Sequence, residues 1–289
     1  MDDPAGQRAL STPHDSLPTE PLIPVGLDAT LVLARHGESE FIVEGRFQGQ
    51  AETPLSAIGL RQAERLAERL ALPHASPSLP VPAGAPLEIV HSPLVRTAKT
   101  AELIGGAMAD EVAFARPITT RPEAGLLEIG QGEWEGLHRE EIERRWGDLL
   151  ATWRRRPLDA WAPGGEAIPD VAARLRPALA GILSRLAQQG VPGTLDRPQV
   201  AGYLEPQTTQ PWTVVVGHDG IFKVLLLTIF DLPLERFWMW SFDLAGIGVI
   251  EFRAGRPLVR AMNLTEHLAP LLEEAAHETS VERQRSGAL

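Results

Sequence analysis

Two histidines and two arginines stand at or just beyond the ends of runs that are otherwise apolar. In "LVLARHGESE", residues 31–40, Leu31, Val32 and Leu33 lead into Arg35, His36 and Gly37. "LEIVHSPLVRTAKT", residues 87–100, carries Arg96 shortly after its run, and "TVVVGHDG", residues 213–220, carries His218 after its own. Short branched runs bounded by turn residues read as buried strands. In open α/β sheets ligands bind beyond the carboxyl ends of the strands, so these four side chains are expected to converge. Arginine offers a rigid fork of donors matched to phosphate oxygens, and a neutral imidazole can attack phosphorus to form a covalent intermediate. The set suits a phosphoryl group, and Gly37 lets the backbone come close to it. A lone histidine or arginine after a strand is more often a satisfied loop residue; joint placement is what carries weight.

The elements that must position these residues follow from periodicity. Strands are expected at 30–34, 87–91, 213–217, 246–252 and 257–262. From Ser56, a plausible N-cap, Leu60, Ala63, Ala67 and Leu70 form one apolar stripe while Arg61, Glu64, Arg65 and Glu68 face outward. Further helical patterns cover 95–104, 168–189 and 220–230. Alternation of strand and helix gives an α/β fold, a three-layer α/β/α sandwich with a mostly parallel sheet. Ala254 and Gly255 between the last two strands predict an antiparallel hairpin on the sheet edge, giving one antiparallel edge strand. A helical cap-like insertion is expected around Trp134, Trp146, Trp153 and Trp161, aromatic residues read as packing with a pocket wall as the rival.

Residues 28–272 form the expected domain, preceded by a loosely ordered extension, 1–27, and followed by a polar tail, 273–289. Two Pro- and Gly-rich segments, 72–86 and 190–211, read as surface insertions between a helix and a strand. Of the 289 residues, 44% are hydrophobic and 22% charged, as in a globular protein without a membrane span. The first 27 residues carry acids where a signal peptide would carry Lys or Arg, so a cytoplasmic location is expected. With no cysteine there is no thiolate nucleophile and no cysteine-rich zinc site. A net charge of −11 argues against a nonspecific nucleic-acid binder. The arginines at 154–156 read as a solvated helix face, with anion guidance as the rival.

"LVLARHGESEFIVEGRFQGQAETPLSAIGLRQA", residues 31–63, resembles the opening signature of the histidine phosphatase superfamily, also called the phosphoglycerate mutase-like family. "HSPLVRTAKTAELI", "LLEIGQGEWEGL", "PGGEAIPDVAARL" and "TVVVGHDGIFKVLL" resemble its later segments, in order, so the likeness spans most of 30–263. The resemblance implies that His36 is the nucleophile, that Arg35, Arg96 and His218 clamp the phosphoryl oxygens, and that Arg46 sits at the pocket rim as a further contact to phosphate or substrate. It implies that Glu128 donates the proton to the leaving oxygen and later serves as base for water. Glu133 and Glu135 are nearby rivals, read as solvated or loop-structuring. No cofactor and no metal ligand set is implied; the partner is a small phosphorylated substrate, and oligomeric state is not legible.

Three positions depart from the family pattern. Ile42 stands where an asparagine commonly helps hold phosphate, His91 replaces a serine, and Asp219 replaces a small residue after the second histidine. Asp219 could weaken anion binding or orient a loop, the second being favoured. The stretch 138–166 resembles the phosphatase branch, which favours a metal-independent phosphomonoesterase over a phosphoglycerate mutase. A noncatalytic phospholigand binder would lack one of His36, Arg35, Arg96, His218 or Glu128, and all five are present. A metallohydrolase would need a carboxylate-rich ligand set or an HExxH spacing, and neither is evident.

Overall fold

The computed structural model describes residues 21–111, 114, 118–193, 209–272 and 274. Strand β1 (Ala29–Arg35) lies inside a six-stranded sheet with β2 (Glu88–His91), β3 (Thr119–Pro122), β4 (Trp212–Gly217), β5 (Ile247–Arg253) and β6 (Arg256–Leu264), ordered β3-β2-β4-β1-β5-β6. β1 pairs in parallel with β4, Leu33 opposite Val215 and Arg35 opposite Gly217. β2 is parallel to both β4 and β3. β5 runs antiparallel to β1, and β6 antiparallel to β5. The carboxyl ends of β1, β2, β4 and β6 and the start of β5 therefore share one sheet edge.

Alternation along β1 and β4 builds a core on each face of the sheet. Leu31, Leu33 and Val215 join one cluster, whereas Val32, Ala34, Val214 and Val216 join the other. Helices α5 (Ile168–Gln189) and α6 (Asp219–Ile229) cover the first face through Leu175, Leu179, Phe222 and Leu225. Helices α2 (Ala57–Ala71) and α3 (Val95–Asp110) cover the second through Leu66, Leu70, Ala101 and Ile104. These are the expected three layers. Because both faces are buried, β1 and β4 read as continuous apolar runs. Truncating any of these leucines to alanine is expected to cost about 2–5 kcal/mol.

Local chemistry sets the boundaries. Ser56 caps α2, its Oγ accepting from the Gly59 N–H at 2.9 Å and donating to Glu38 Oε1 at 2.7 Å. The buried stripe is Ala63, Leu66, Ala67 and Leu70, with Leu60 only half-buried. Ala254 and Gly255, at φ +47° and +81°, make the tight turn between β5 and β6. Four features differ from expectation or add to it. β3 is a polar edge strand, "TTRP", whose exposed side chains give no apolar signal. α3 runs on to Asp110. The 72–86 segment is not purely surface, since Leu79 and Val81 are buried in the core between α2 and α3. A short helix, α1 (Glu40–Val43), follows β1, and the cap-like segment contains α4 (Arg139–Arg155), which is bent at Trp146.

Residues 1–20 of the expected extension and most of the tail lie outside the described residues, as do 194–208 of the second insertion. Leu27 is buried, and its carbonyl accepts from the Gly255 N–H at 2.8 Å. Trp134 is buried, edge to face with Phe47 and Trp153 at 6.0 and 6.1 Å between centroids, so these rings pack the cap. Trp161 is exposed, and Arg154, Arg155 and Arg156 face solvent. Among the described residues no helix is long and apolar enough to cross a membrane.

Candidate active site

His36 leaves the end of β1 with its N–H on the Gly217 carbonyl at 3.1 Å, tying it to β4. The next residue, Gly37, packs its Cα against the backbone of Gly59, and a Cβ on either glycine would collide with the other segment. Its lack of a side chain serves this approach to α2, a role beyond the close approach to a ligand that the sequence suggests. His36 Nδ1 lies 2.6 Å from the Gly37 carbonyl oxygen. A carbonyl only accepts, so Nδ1 carries the hydrogen and Nε2 keeps its lone pair. Complete burial, then the charges of Arg35 and Arg96, hold the imidazole well below its ordinary pKa. His36 is a neutral imidazole whose Nε2 keeps its lone pair.

His218 follows β4 directly, and its ring meets that of His36 at 5.0 Å between centroids. Its Nε2 is 2.9 Å from Ser92 Oγ, beyond the end of β2. Burial, then Arg96, also keeps His218 neutral. Arg35 donates from Nη1 to the Phe242 carbonyl. Arg96, 1% exposed, donates from Nη1 to Ala51 O at 2.9 Å and from Nη2 to Gly49 O at 2.8 Å. Burial pushes its pKa down to about 10, which leaves it cationic at neutral pH. The Nε atoms of Arg35 and Arg96 and Nδ1 of His218 are buried without a hydrogen-bond partner among the described residues. An unmet buried polar atom costs about 1–3 kcal/mol, so this cluster, with two guanidinium N–H donors in it, fits an anion that would satisfy it.

Glu128 is partly buried beside this cluster and interacts electrostatically with Arg35 and Arg96. Its Oε1 accepts from Ile129 N and Ile221 N at 2.9 Å each, and Oε2 from Gly220 N at 3.1 Å. Those amides favour the carboxylate, yet desolvation is the larger effect and raises its pKa. A carboxyl group that resists ionisation can donate a proton. Its rivals behave as expected. Glu135 Oε1 accepts from Gln50 N and Gln131 N at 2.8 and 2.9 Å, which structures two loops. Glu133 is exposed, 3.7 Å from Arg145.

Three residues that the sequence reading did not single out hold Glu128 in place. Arg174 Nη2 and Gln50 Nε2 both donate to the Glu128 carbonyl at 2.9 Å. Glu166 takes Arg174 at 2.7 Å and the Gly130 N–H at 2.8 Å. Glu166 and Arg174 both lie in "PGGEAIPDVAARL", so the fourth segment contained the signal. Arg46, expected at the pocket rim, is a half-exposed loop residue. Its Nε binds Glu44 at 2.5 Å and its Nη1 the Gly136 carbonyl at 2.6 Å, which latches two loops together. Asp219 accepts from Phe242 N at 3.0 Å and from Lys223 Nζ at 2.6 Å, the loop-orienting role. His91 donates from Nδ1 to the Ser92 carbonyl at 2.8 Å. Among the described residues no three His, Asp or Glu side chains form a metal-binding group.

The arrangement can take a phosphoryl group onto an imidazole, with cations around it and a partly buried acid beside it. The sequence profile of the histidine phosphatase superfamily (branch 1) matches residues 31–192 and 199–265, and the chain belongs to that superfamily. Phosphoserine phosphatase 1 of Hydrogenobacter thermophilus is 27% identical over 249 residues, 85% of this chain and 97% of its own length. Glucosyl-3-phosphoglycerate phosphatase of Mycobacterium tuberculosis is 32% identical over 208 residues, 71% of this chain and 77% of its own length. The solved mycobacterial glucosyl-3-phosphoglycerate phosphatase in complex with VO3 superposes with a TM-score of 0.62 at 28% identity, covering 81% of this chain and 99% of that one.

Proposed function

We propose that the protein is a metal-independent phosphomonoesterase for small phosphorylated metabolites, working through a phosphohistidine at His36. The observation that carries this reading is the His36 imidazole, held neutral with its Nδ1 hydrogen on the Gly37 carbonyl and Nε2 unoccupied amid Arg35, Arg96 and His218. In the first step Nε2 bonds to phosphorus as the ester P–O bond breaks, and the leaving oxygen takes a proton from Glu128. In the second step water attacks phosphorus, Glu128 takes a proton from it, and His36 leaves with its lone pair restored. Arg35, Arg96 and His218 donate to the phosphoryl oxygens in both steps, preorganised charge that requires no solvent reorganisation.

The test is phosphate release from p-nitrophenyl phosphate and phosphorylated metabolites with chelator present, together with alkaline-stable, acid-labile labelling of the protein. Turnover that persists in chelator with label on His36 supports the reading. Loss in chelator with restoration by a divalent ion would overturn it. A mutase assay with 2,3-bisphosphoglycerate, run in parallel, separates hydrolysis from phosphoryl return to a second hydroxyl.

A further inference from the structure

A cavity of about 730 Å³ opens at the same sheet edge as His36, with Arg35 in its wall. Its position follows from topology. It lies between the end of β1, the start of β5 at Leu244 and the residues after β6 at Leu268 and Leu271, with Ile42 of α1 and Ile58 of α2 facing them. That volume falls within the roughly 300–1,000 Å³ of small-molecule sites. Ile58 is 56% exposed although it lines the cavity, so this apolar surface has no protein cover among the described residues.

We propose that this cavity receives the alcohol portion of the substrate and selects an apolar one, an aliphatic or aromatic phosphomonoester. The proposal rests on the phosphatase reading of the His36 site. Ile42 carries the first part of the argument. It stands where the family pattern has a phosphate-holding asparagine, and it turns a methyl-bearing side chain toward the cavity in place of a polar donor.

Charge carries the second part. A carboxylate on the leaving group would need a cation of its own; in the phosphatase reading Arg35 is committed to the phosphoryl group, and the other arginine of the wall, Arg61, pairs with Glu274. Asp243, also in the wall, adds a negative charge that an anionic alcohol would have to face. Among the described residues the wall thus offers a carboxylated ester no uncommitted cation, and it presents aliphatic surface from Ile42, Ile58 and Leu268.

The test is kcat/KM for ethyl, butyl, hexyl and octyl phosphate, with phosphoserine and 3-phosphoglycerate for comparison. The leaving-group basicity of the primary alkyl alcohols is nearly constant, so a trend with length reports binding of the chain and not the chemical step. Each methylene taken into the cavity raises kcat/KM by up to about fourfold, and hexyl over ethyl phosphate is expected at ten-fold or more. Ile58→Asp and Ile42→Asn should each reduce the hexyl-to-ethyl ratio several-fold. Because that ratio is taken within one protein, partial misfolding cancels. A flat length series in the wild type, a preference for phosphoserine or 3-phosphoglycerate over hexyl phosphate, or a ratio untouched by both variants would overturn the cavity assignment and leave the phosphatase standing. If no phosphomonoester is hydrolysed and no label reaches His36, the phosphatase reading itself fails, and this inference with it.

Discussion

The rings of His36 and His218 meet nearly edge to face, their centroids 5.0 Å apart and their planes at 64°. They reach this position from adjacent strands, one residue past the Arg35 and Gly217 register pair. Burial first, and then the charges of Arg35 and Arg96, hold both rings neutral. The pocket is therefore a positive field in which neither histidine is itself charged. A phosphoryl dianion entering it meets guanidinium charge, an N–H donor and a bare nitrogen at once.

Replacing His36 with Ala should abolish turnover and covalent labelling together, since Nε2 is the only atom assigned to bond phosphorus. Replacing His218 with Ala should leave labelling possible but slow it by about 10²–10³-fold, the effect of removing one preorganised donor. Rapid-quench labelling distinguishes the two. Label trapped on the His36→Ala protein would place the nucleophile elsewhere.

Acid should weaken the fold. His36, His218 and His267 all have folded pKa values below the ordinary 6.5, the last at about 4, with burial as the leading cause. Below pH 6.5 the unfolded chain therefore binds protons that the folded chain refuses, and stability falls as pH falls, by up to about 1.4 kcal/mol per pH unit for each histidine. Glu128 acts in the opposite sense, since its raised folded pKa gives stability on the acid side that is lost as pH rises through it. The histidines outnumber it. Urea unfolding should show a lower free energy at pH 5 than at pH 7. His267 donates to the Ala245 carbonyl at 3.1 Å, and His267→Gln retains a donor without the titration. That variant should show a shallower slope between pH 6.5 and 5; an identical slope would remove His267 from this account.

Asp219 should control the clamp without touching phosphate. Its Oδ1 holds the Phe242 N–H, and the Phe242 carbonyl in turn holds Arg35. Its Oδ2 pairs with Lys223, 7% exposed, whose ammonium lies 4.9 Å from the Trp238 ring. Asp219→Ala should weaken inhibition by inorganic phosphate about tenfold and cost roughly 1–3 kcal/mol of stability, because it leaves buried donors unmet. Asp219→Asn keeps an acceptor for Phe242 and should retain more of the phosphate affinity. If alanine and asparagine weaken phosphate equally, the link through Phe242 is not what matters.

Legibility in the sequence followed the range of each interaction. β1 and β4 were visible because burial on both faces leaves an uninterrupted apolar run, and the start of α2 because Ser56 caps it within three residues. The Ala254–Gly255 turn was visible because left-handed backbone leaves a residue signature. β3 was not, since an exposed edge strand needs no apolar pattern. Nor was the support of Glu128, because Arg174 and Gln50 reach its carbonyl from 46 and 78 residues away along the chain. Gly37 and Arg46 show the same limit: their partners, Gly59 and Gly136, are set by the fold, so a motif names the residue without naming what it touches.

The proton donor is the most exacting test, because it separates Glu128 from Glu133 and Glu135 by chemistry. An alkoxide is a poor leaving group, and a general acid contributes about 10²–10⁴-fold, roughly 3–5 kcal/mol of barrier. A nitrophenolate leaves without a proton. Glu128→Gln should therefore slow single-turnover phosphorylation of His36 by an alkyl phosphate far more than by p-nitrophenyl phosphate. Gln can still accept from backbone amides, which limits structural damage, but it cannot donate as a carboxylic acid or take a proton from water. Dephosphorylation has to be timed separately, since loss of the base slows it for every substrate and can mask the first step in steady turnover. Glu133→Gln should be close to silent, being an exposed partner of Arg145. Glu135→Gln should affect both substrates alike, because Glu135 holds the Gln50 and Gln131 amides and so supports the loop without meeting the leaving oxygen. Equal slowing of both leaving groups by Glu128→Gln, or a selective loss in Glu133→Gln, would move the acid to another side chain while leaving His36 as the nucleophile.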